Sequence, residues 1–231
     1  MSISSPFPGK SRIDPPSGLQ FRILPVTPFQ QNCSLVWCAD TAEAVVIDPG
    51  GEVERLLAEI QRQGVRVRSI LLTHGHLDHV GAAPALASLL DAPILGPHLE
   101  DAFLLDSLAD QATMFGFPPA TAFRPGKWLE QGENIRFGNH HLDVLHCPGH
   151  TPGHLVFVET DARLAFVGDV LFRGSIGRTD FPRGNHGDLI RSIRETLFPL
   201  GDDMAFVPGH GPMGNFGQER LDNPYVGDRS A

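Results

Sequence analysis

Cysteine is scarce and scattered: Cys33, Cys38 and Cys147 form no C-x-x-C pair, and an odd count builds no disulfide framework. All three read as buried, inert thiols, and a reducing cytoplasm is the simplest setting for them. Long apolar runs are missing as well. Nothing approaches the roughly 20 residues that cross a bilayer, so a membrane protein is not expected. Residues 1–18 are rich in Pro and Ser and lack the apolar centre of a secretory signal. They read as a poorly ordered extension ahead of a single domain over 19–231. Basic clusters are also absent. The net charge is −9 with no Lys/Arg-rich block, which argues against a nucleic-acid or membrane surface and leaves room only for a small basic pocket.

What is present describes a globular α/β chain. Hydrophobic residues make up 41% and charged residues 19% of 231 positions, enough for one large core. Short apolar or alternating runs over 21–26, 33–38, 44–47 and 65–72 read as strands, joined by 93–96, 135–137, 142–146, 155–159, 164–167 and 205–207. Helical spacing marks 52–63, stopped by Gly64, and 82–90, with Pro84 tolerable in the first turn. Further helices are expected over 98–115, where polar residues and His98 read as a solvated face, and over 188–197. Asp48-Pro49-Gly50-Gly51 reads as a turn, the tail from Gly211 is Gly-rich, and His140 and His141 read as surface residues. No linker divides the chain.

Chemistry concentrates in Thr73-His74-Gly75-His76-Leu77-Asp78-His79, directly after an apolar strand. Imidazole nitrogen and carboxylate oxygen suit zinc, iron or manganese. This is not the i, i+4 pair of a helical zinc motif. His74 and His76 alternate as on extended chain, while Asp78 and His79 point apart, so one loop can serve two metal positions. Three more donors follow strands: His150 in Cys147-Pro148-Gly149-His150, Asp169 after Val167-Gly168, and His210 after Pro208-Gly209. A glycine before each lets the backbone turn sharply and approach closely. Each is weak evidence alone. Together they make five histidines and two carboxylates, an inventory for two metals. Three neutral imidazoles leave a position open to water on one ion, and Asp169 is the natural carboxylate to bridge to a second.

Taken in order, these motifs resemble the metallo-β-lactamase superfamily over nearly all of Phe21 to Val226. The resemblance implies an α/β four-layer αββα sandwich, two mixed sheets with helices outside. It implies that His74, His76 and His150 hold one metal, that Asp78, His79 and His210 hold the other, and that Asp169 bridges them. Asp at 169, where one β-lactamase subclass has cysteine, is similar to glyoxalase II. The segments Gly168 to Gly174, Gly177 to Gly184 and the Asn223-Pro224 ending are similar to its short, single-domain bacterial type.

That likeness implies two divalent ions, zinc first with iron or manganese as alternatives, and hydrolysis of a glutathione thioester such as S-D-lactoylglutathione in methylglyoxal detoxification. Asp78 would orient the attacking water. Glutathione carries carboxylates, so pocket arginines are expected: Arg178, a position that is basic in larger relatives, with Arg173 and Arg183 nearby. The competing account has these arginines pairing with Asp180 or Glu195 to brace a loop. His146, His154 and His186 fall outside the family's ligand pattern and read as capped or packed imidazoles, with His154 also able to orient a ligand. The main rival is a mononuclear iron glutathione-persulfide dioxygenase, which shares the Gly-Arg-Thr-Asp-Phe segment but diverges around Pro208-Gly209-His210-Gly211. Lactonases and lactamases share the fold, and the acidic charge disfavours an RNA substrate.

Overall fold

The computed structural model describes residues 18–229; apart from Gly18, the extension expected over residues 1–18 lies outside the described residues. The first sheet runs in order through β1 (Leu19–Val26), β2 (Gln31–Cys38), β3 (Glu43–Ile47), β4 (Arg66–Leu71) and β5 (Ile94–Leu95). Its first three strands are antiparallel neighbours, whereas β4 and β5 add in parallel. The second half supplies β6 (Asn134–Phe137), β7 (His140–His146), β8 (Leu155–Glu159), β9 (Leu164–Gly168), the hairpin β10 (Leu171–Phe172) and β11 (Ser175–Ile176), then β12 (Ala205–Pro208) and β13 (Gly214–Asn215). Six of these form a sheet ordered β13-β12-β9-β8-β7-β6, in which β9 and β12 are the parallel pair.

Side-chain alternation along the strands explains the layering. On β3, Val45 and Ile47 enter the core between the sheets, while Ala44 and Val46 face the helices. On β8, Leu155 and Phe157 point to the same central core, and Val156 and Val158 face outward into a third. Both faces of each central strand are therefore apolar, and helices must cover the outer ones. Over the first sheet lie α1 (Val53–Gln63), α2 (Leu77–Val80), α3 (Ala83–Leu90), α4 (Ala102–Asp106) and α5 (Leu108–Phe115). Over the second lie α6 (His186–Arg191), which continues as a π-helical turn over Ser192–Leu197, and α7 (Phe216–Asp222). This is the expected αββα sandwich of two mixed sheets.

Three local expectations need correction. The helix over 98–115 is broken into a 3-10 turn (Leu99–Asp101) and two short helices. At the break, the Ser107 hydroxyl donates back to the Leu104 carbonyl at 3.1 Å, the kind of local bond that competes with helix. The solvated face assigned there is also wrong at Asp101, which is fully buried. His140 is buried too, with Nδ1 donating to Glu159 Oε1 at 2.9 Å. The Gly-rich tail contains α7, started by the Asn215 side chain accepting from Gln218 N at 3.3 Å, a polar N-cap signal. Gly64 does stop α1 in the left-handed region at φ 65°, and the three cysteines are free and buried.

Phe157 is fully buried between the sheets. Phe157→Ala is expected to lower stability by about 3–5 kcal/mol, read from the urea midpoint at unchanged m-value.

Candidate metal centre

Strands β3, β4, β7, β9 and β12 all deliver their carboxyl ends to one edge of the sandwich, the edge where open α/β sheets present ligands. Asp48, His74, His150, Asp169 and His210 follow these five ends. The two sheets are tied together there. Leu155 N donates to Thr73 O and Asn32 N to Gly209 O, each at 2.7 Å. The Asn32 amide also donates to the carbonyls of Pro208 (3.0 Å) and Gly211 (2.8 Å), clamping the His210 loop. Gly209 has no alternative: a Cβ there would overlap the Asp169 carboxylate and the His79 ring.

Two donor clusters result, each with ligand atoms within 4.8 Å of one another: His74, His76 and His150, and Asp78, His79 and His210. In the first, His76 Nδ1 lies 3.0 Å from both His74 Nε2 and His150 Nε2. In the second, Asp78 Oδ2 is 3.2 Å from His210 Nε2 and 3.8 Å from His79 Nε2. Asp169 stands between the clusters. Its Oδ2 is 3.6 Å from His150 Nε2 and 3.7 Å from His210 Nε2, and its Oδ1 is 3.5 Å from His79 Nε2.

The outer nitrogens decide which atoms face inward. His150 Nδ1 donates to Arg178 O at 2.8 Å and His210 Nδ1 to Phe29 O at 3.1 Å. A carbonyl only accepts, so both rings carry their proton outside. His79 Nδ1 donates to Asp48 Oδ2 at 2.9 Å. Thr73 Oγ1 donates to the same carboxylate at 2.5 Å and therefore accepts from His74 Nδ1 at 3.0 Å. When these four rings are neutral, Nε2 is a lone pair aimed at the cluster, the arrangement that second partners impose on metal-binding histidines.

Charge completes the fit. Burial, reinforced by neighbouring imidazoles, holds His74 and His76 well below the ordinary histidine range, and burial lowers His150 as well. These three are neutral at neutral pH, the ligand form. Around the second cluster, burial works against a charge on His79, but Asp169, Asp78 and Asp48 outweigh it and raise it to about 9. Burial likewise opposes ionisation of Asp78, yet His79 and His210 draw it well below the usual carboxylate range. The carboxylates thus demand a cation, and a proton meets that demand badly. His79 Nε2 and Asp169 Oδ1 are both buried without a hydrogen-bond partner. A divalent metal between them satisfies both, so this donor set fits metal.

Several contributors were not legible as site residues. Asp48, read as a turn, is 2% exposed and also accepts from Thr73 N at 2.7 Å; its place at a strand end matches that of Asp169 and was the available signal. His154, read first as a packed imidazole, stacks on His74 at 4.7 Å and accepts from Asp169 N through Nε2 at 3.0 Å. Phe181 sets its ring against His76 (5.0 Å) and His150 (5.8 Å). The arginines stand outside the donor clusters. Arg178 pairs with Asp180 at 2.7 Å and lies over Phe181, while Arg183 lies over Phe103. Arg173 is exposed. His146 donates to Pro152 O at 2.8 Å, and His186 is exposed at the start of α6.

A sandwich with paired His/Asp clusters at the strand ends defines a class, and residues 26–210 match the metallo-beta-lactamase superfamily: the chain belongs to that family. The hydroxyacylglutathione hydrolase GloC of Haemophilus influenzae is 49% identical over 213 residues, covering 92% of this chain and 100% of that protein. Among solved structures, BLEG-1, a B3 metallo-beta-lactamase, is similar with a TM-score of 0.82 at 34% identity, over 90% of this chain and 99% of that one. TTHA1623 in a di-iron-bound form has a TM-score of 0.81 at 38% identity, over 89% and 100%. This kinship supports a metal-dependent hydrolase. Among the described residues no helix is long and apolar enough to cross a membrane.

Asp48→Ala removes the acceptor that orients His79 and strands two Thr73 donors. Metal affinity of the variant is expected to fall by about 10–100-fold, measured by chelator competition; wild-type affinity would show that Asp48 does not orient the ring.

Proposed function

We propose that the chain is a binuclear metallohydrolase of hydroxyacylglutathione thioesters, releasing glutathione and a 2-hydroxy acid, with S-D-lactoylglutathione as the substrate to test. The observation that carries this is the Asp169 carboxylate, which faces His150 with one oxygen and His79 with the other. In this reading His74, His76 and His150 would hold one ion and Asp78, His79 and His210 a second, with Asp169 placed between the two sets. Bound there, two divalent ions, zinc in our assignment with iron or manganese accepted by the same donors, would supply a hydroxide nucleophile at neutral pH and would draw charge from the thioester carbonyl oxygen. The kinship with GloC supports the choice of thioester. Methylglyoxal detoxification in the cytoplasm is the setting we assign, and the free, buried thiols accord with it.

The protein's own groups then have defined tasks. Asp78 directs Oδ2 at His210 and His79, and we assign its other oxygen to accept the hydrogen bond of the attacking water. A thiol has a pKa near 8.5, about seven units below that of water. Thiolate therefore leaves without a protein acid, and no further general acid is assigned. Phe181 shields the His76/His150 side, so the acyl group lies against an apolar wall. Arg178, about two-thirds exposed and paired with an equally exposed Asp180, exchanges that partner for a glutathione carboxylate at little cost, since exposed pairs contribute roughly 0–1 kcal/mol. Arg173 and Arg183 are further candidates for the second carboxylate.

Elemental analysis of purified protein, alongside a panel of S-lactoylglutathione, other acyl thioesters, a lactam and glutathione persulfide, tests the assignment. Two metals per chain with preference for the 2-hydroxyacyl thioester are expected; oxygen uptake with the persulfide and one iron per chain would replace it. Asp169→Ala should lose hydrolysis together with metal content, whereas full activity in a metal-free variant would sink the mechanism. Arg178→Ala is expected to raise KM more than it lowers kcat. A loss of stability at unchanged KM would instead assign Arg178 to bracing its loop.

A further inference from the structure

We infer that Asp101 is a positioning residue for the first donor cluster: one buried carboxylate, supplied by a third segment, holds two separate loops in the register that brings His74, His76 and His150 together. Its Oδ2 accepts from Gly75 N at 2.9 Å and from Thr151 Oγ1 at 2.8 Å, and its Oδ1 accepts from Gly153 N at 2.6 Å. Gly75 lies between His74 and His76, and Thr151 directly follows His150. Each donor is thus within one to three residues of a cluster histidine, yet none of these three hydrogen bonds goes to a ring. His74 and His150 are far apart in sequence. The backbone bond from Leu155 N to Thr73 O ties the strand ends beside them, and the carboxylate ties the loops themselves.

The packing agrees. Gly153 is held on both sides, because its carbonyl accepts from His98 N at 3.2 Å. A Cβ on Gly153 would lie 2.6 Å from Asp101 N, and one on Gly75 would lie 2.7 Å from Leu104 Cβ. Both loops press so closely on the segment from His98 to Leu104 that side chains are excluded at the contact. Asp101 is itself fully buried. A desolvated carboxylate is retained only where its hydrogen bonds are in place, and all three go to the two loops. A bond network of this kind sets the separation of the loops, and with it the convergence of three nitrogens on one point.

This rests on reading the three histidines as a metal site and is independent of the thioester. The test uses the full chain and zinc. Stoichiometry, the affinity of each zinc equivalent by chelator competition, and melting temperature are measured for wild type, Thr151→Val, Asp101→Asn and Asp101→Ala. Thr151→Val, which removes one of three donors, should weaken one zinc equivalent several-fold. Asp101→Asn and Asp101→Ala should weaken the same equivalent by about 10–100-fold, the range for partners that orient ligands, leaving the other near its wild-type value. Cobalt in that position should show altered visible bands. A folded Asp101→Ala protein with a lower melting temperature but both equivalents at wild-type affinity overturns the inference. If that variant does not fold, Thr151→Val decides, and unchanged affinity there overturns it equally. Wild-type protein that binds two zinc ions, shows this pattern and fails to cleave thioesters would refute the proposed function and leave Asp101 in its role.

Discussion

The site depends on hydrogen bonds made on the outside of the histidine rings. A neutral imidazole has one proton and one lone pair, and whichever nitrogen is claimed by an acceptor sends the lone pair from the other. Arg178 O, Phe29 O, Asp48 and Thr73 each claim an outer nitrogen. Four inner nitrogens therefore face the same cavity, and among them His79 Nε2 is buried without a hydrogen-bond partner. Without those acceptors the same rings would be free to present a proton instead.

Those acceptors come from elements far apart in the chain, and the sandwich assembles them. Apolar residues on both faces of the central strands force sheets and helices into four layers, and parallel placement of β3 with β4 and of β9 with β12 aligns their carboxyl ends. The backbone ties from Asn32 to Gly209 and from Leu155 to Thr73 close the two sheets at that edge. A rigid rim then carries loops that are short and glycine-punctuated. The burial that stabilises the sandwich also keeps His74, His76 and His150 neutral, so the same desolvation serves fold and ligand chemistry.

Legibility followed the range of the determining interaction. Strand positions such as 44–47 and 155–159 could be read from local pattern, because an apolar run is buried whatever its neighbours. The donor residues could be read because their chemistry is unusual for strand ends. Asp101 could not: it sits in a stretch with helical spacing, and its burial comes from two loops that arrive from elsewhere. His140 misled in the same way, since Glu159, which covers it, belongs to the next strand. Helix α7 was hidden by Gly217 and the glycines that precede it, although Asn215 at its start is a local signal.

The sequence by itself determined the α/β class and the donor inventory, since hydrophobic periodicity and side-chain chemistry are properties of the residues present, and the layer architecture was what the resemblance carried by those motifs implied. Only the tertiary structure decided which nitrogen of each histidine faces inward, how the two oxygens of Asp169 are placed against the clusters, that Arg178 stands beside Asp180, and that Asp48, His154 and Asp101 belong to the framework of the site. The physical reason is common to all of them. Hydrogen bonding and desolvation act over about 3 Å in space, with no regard for separation along the chain.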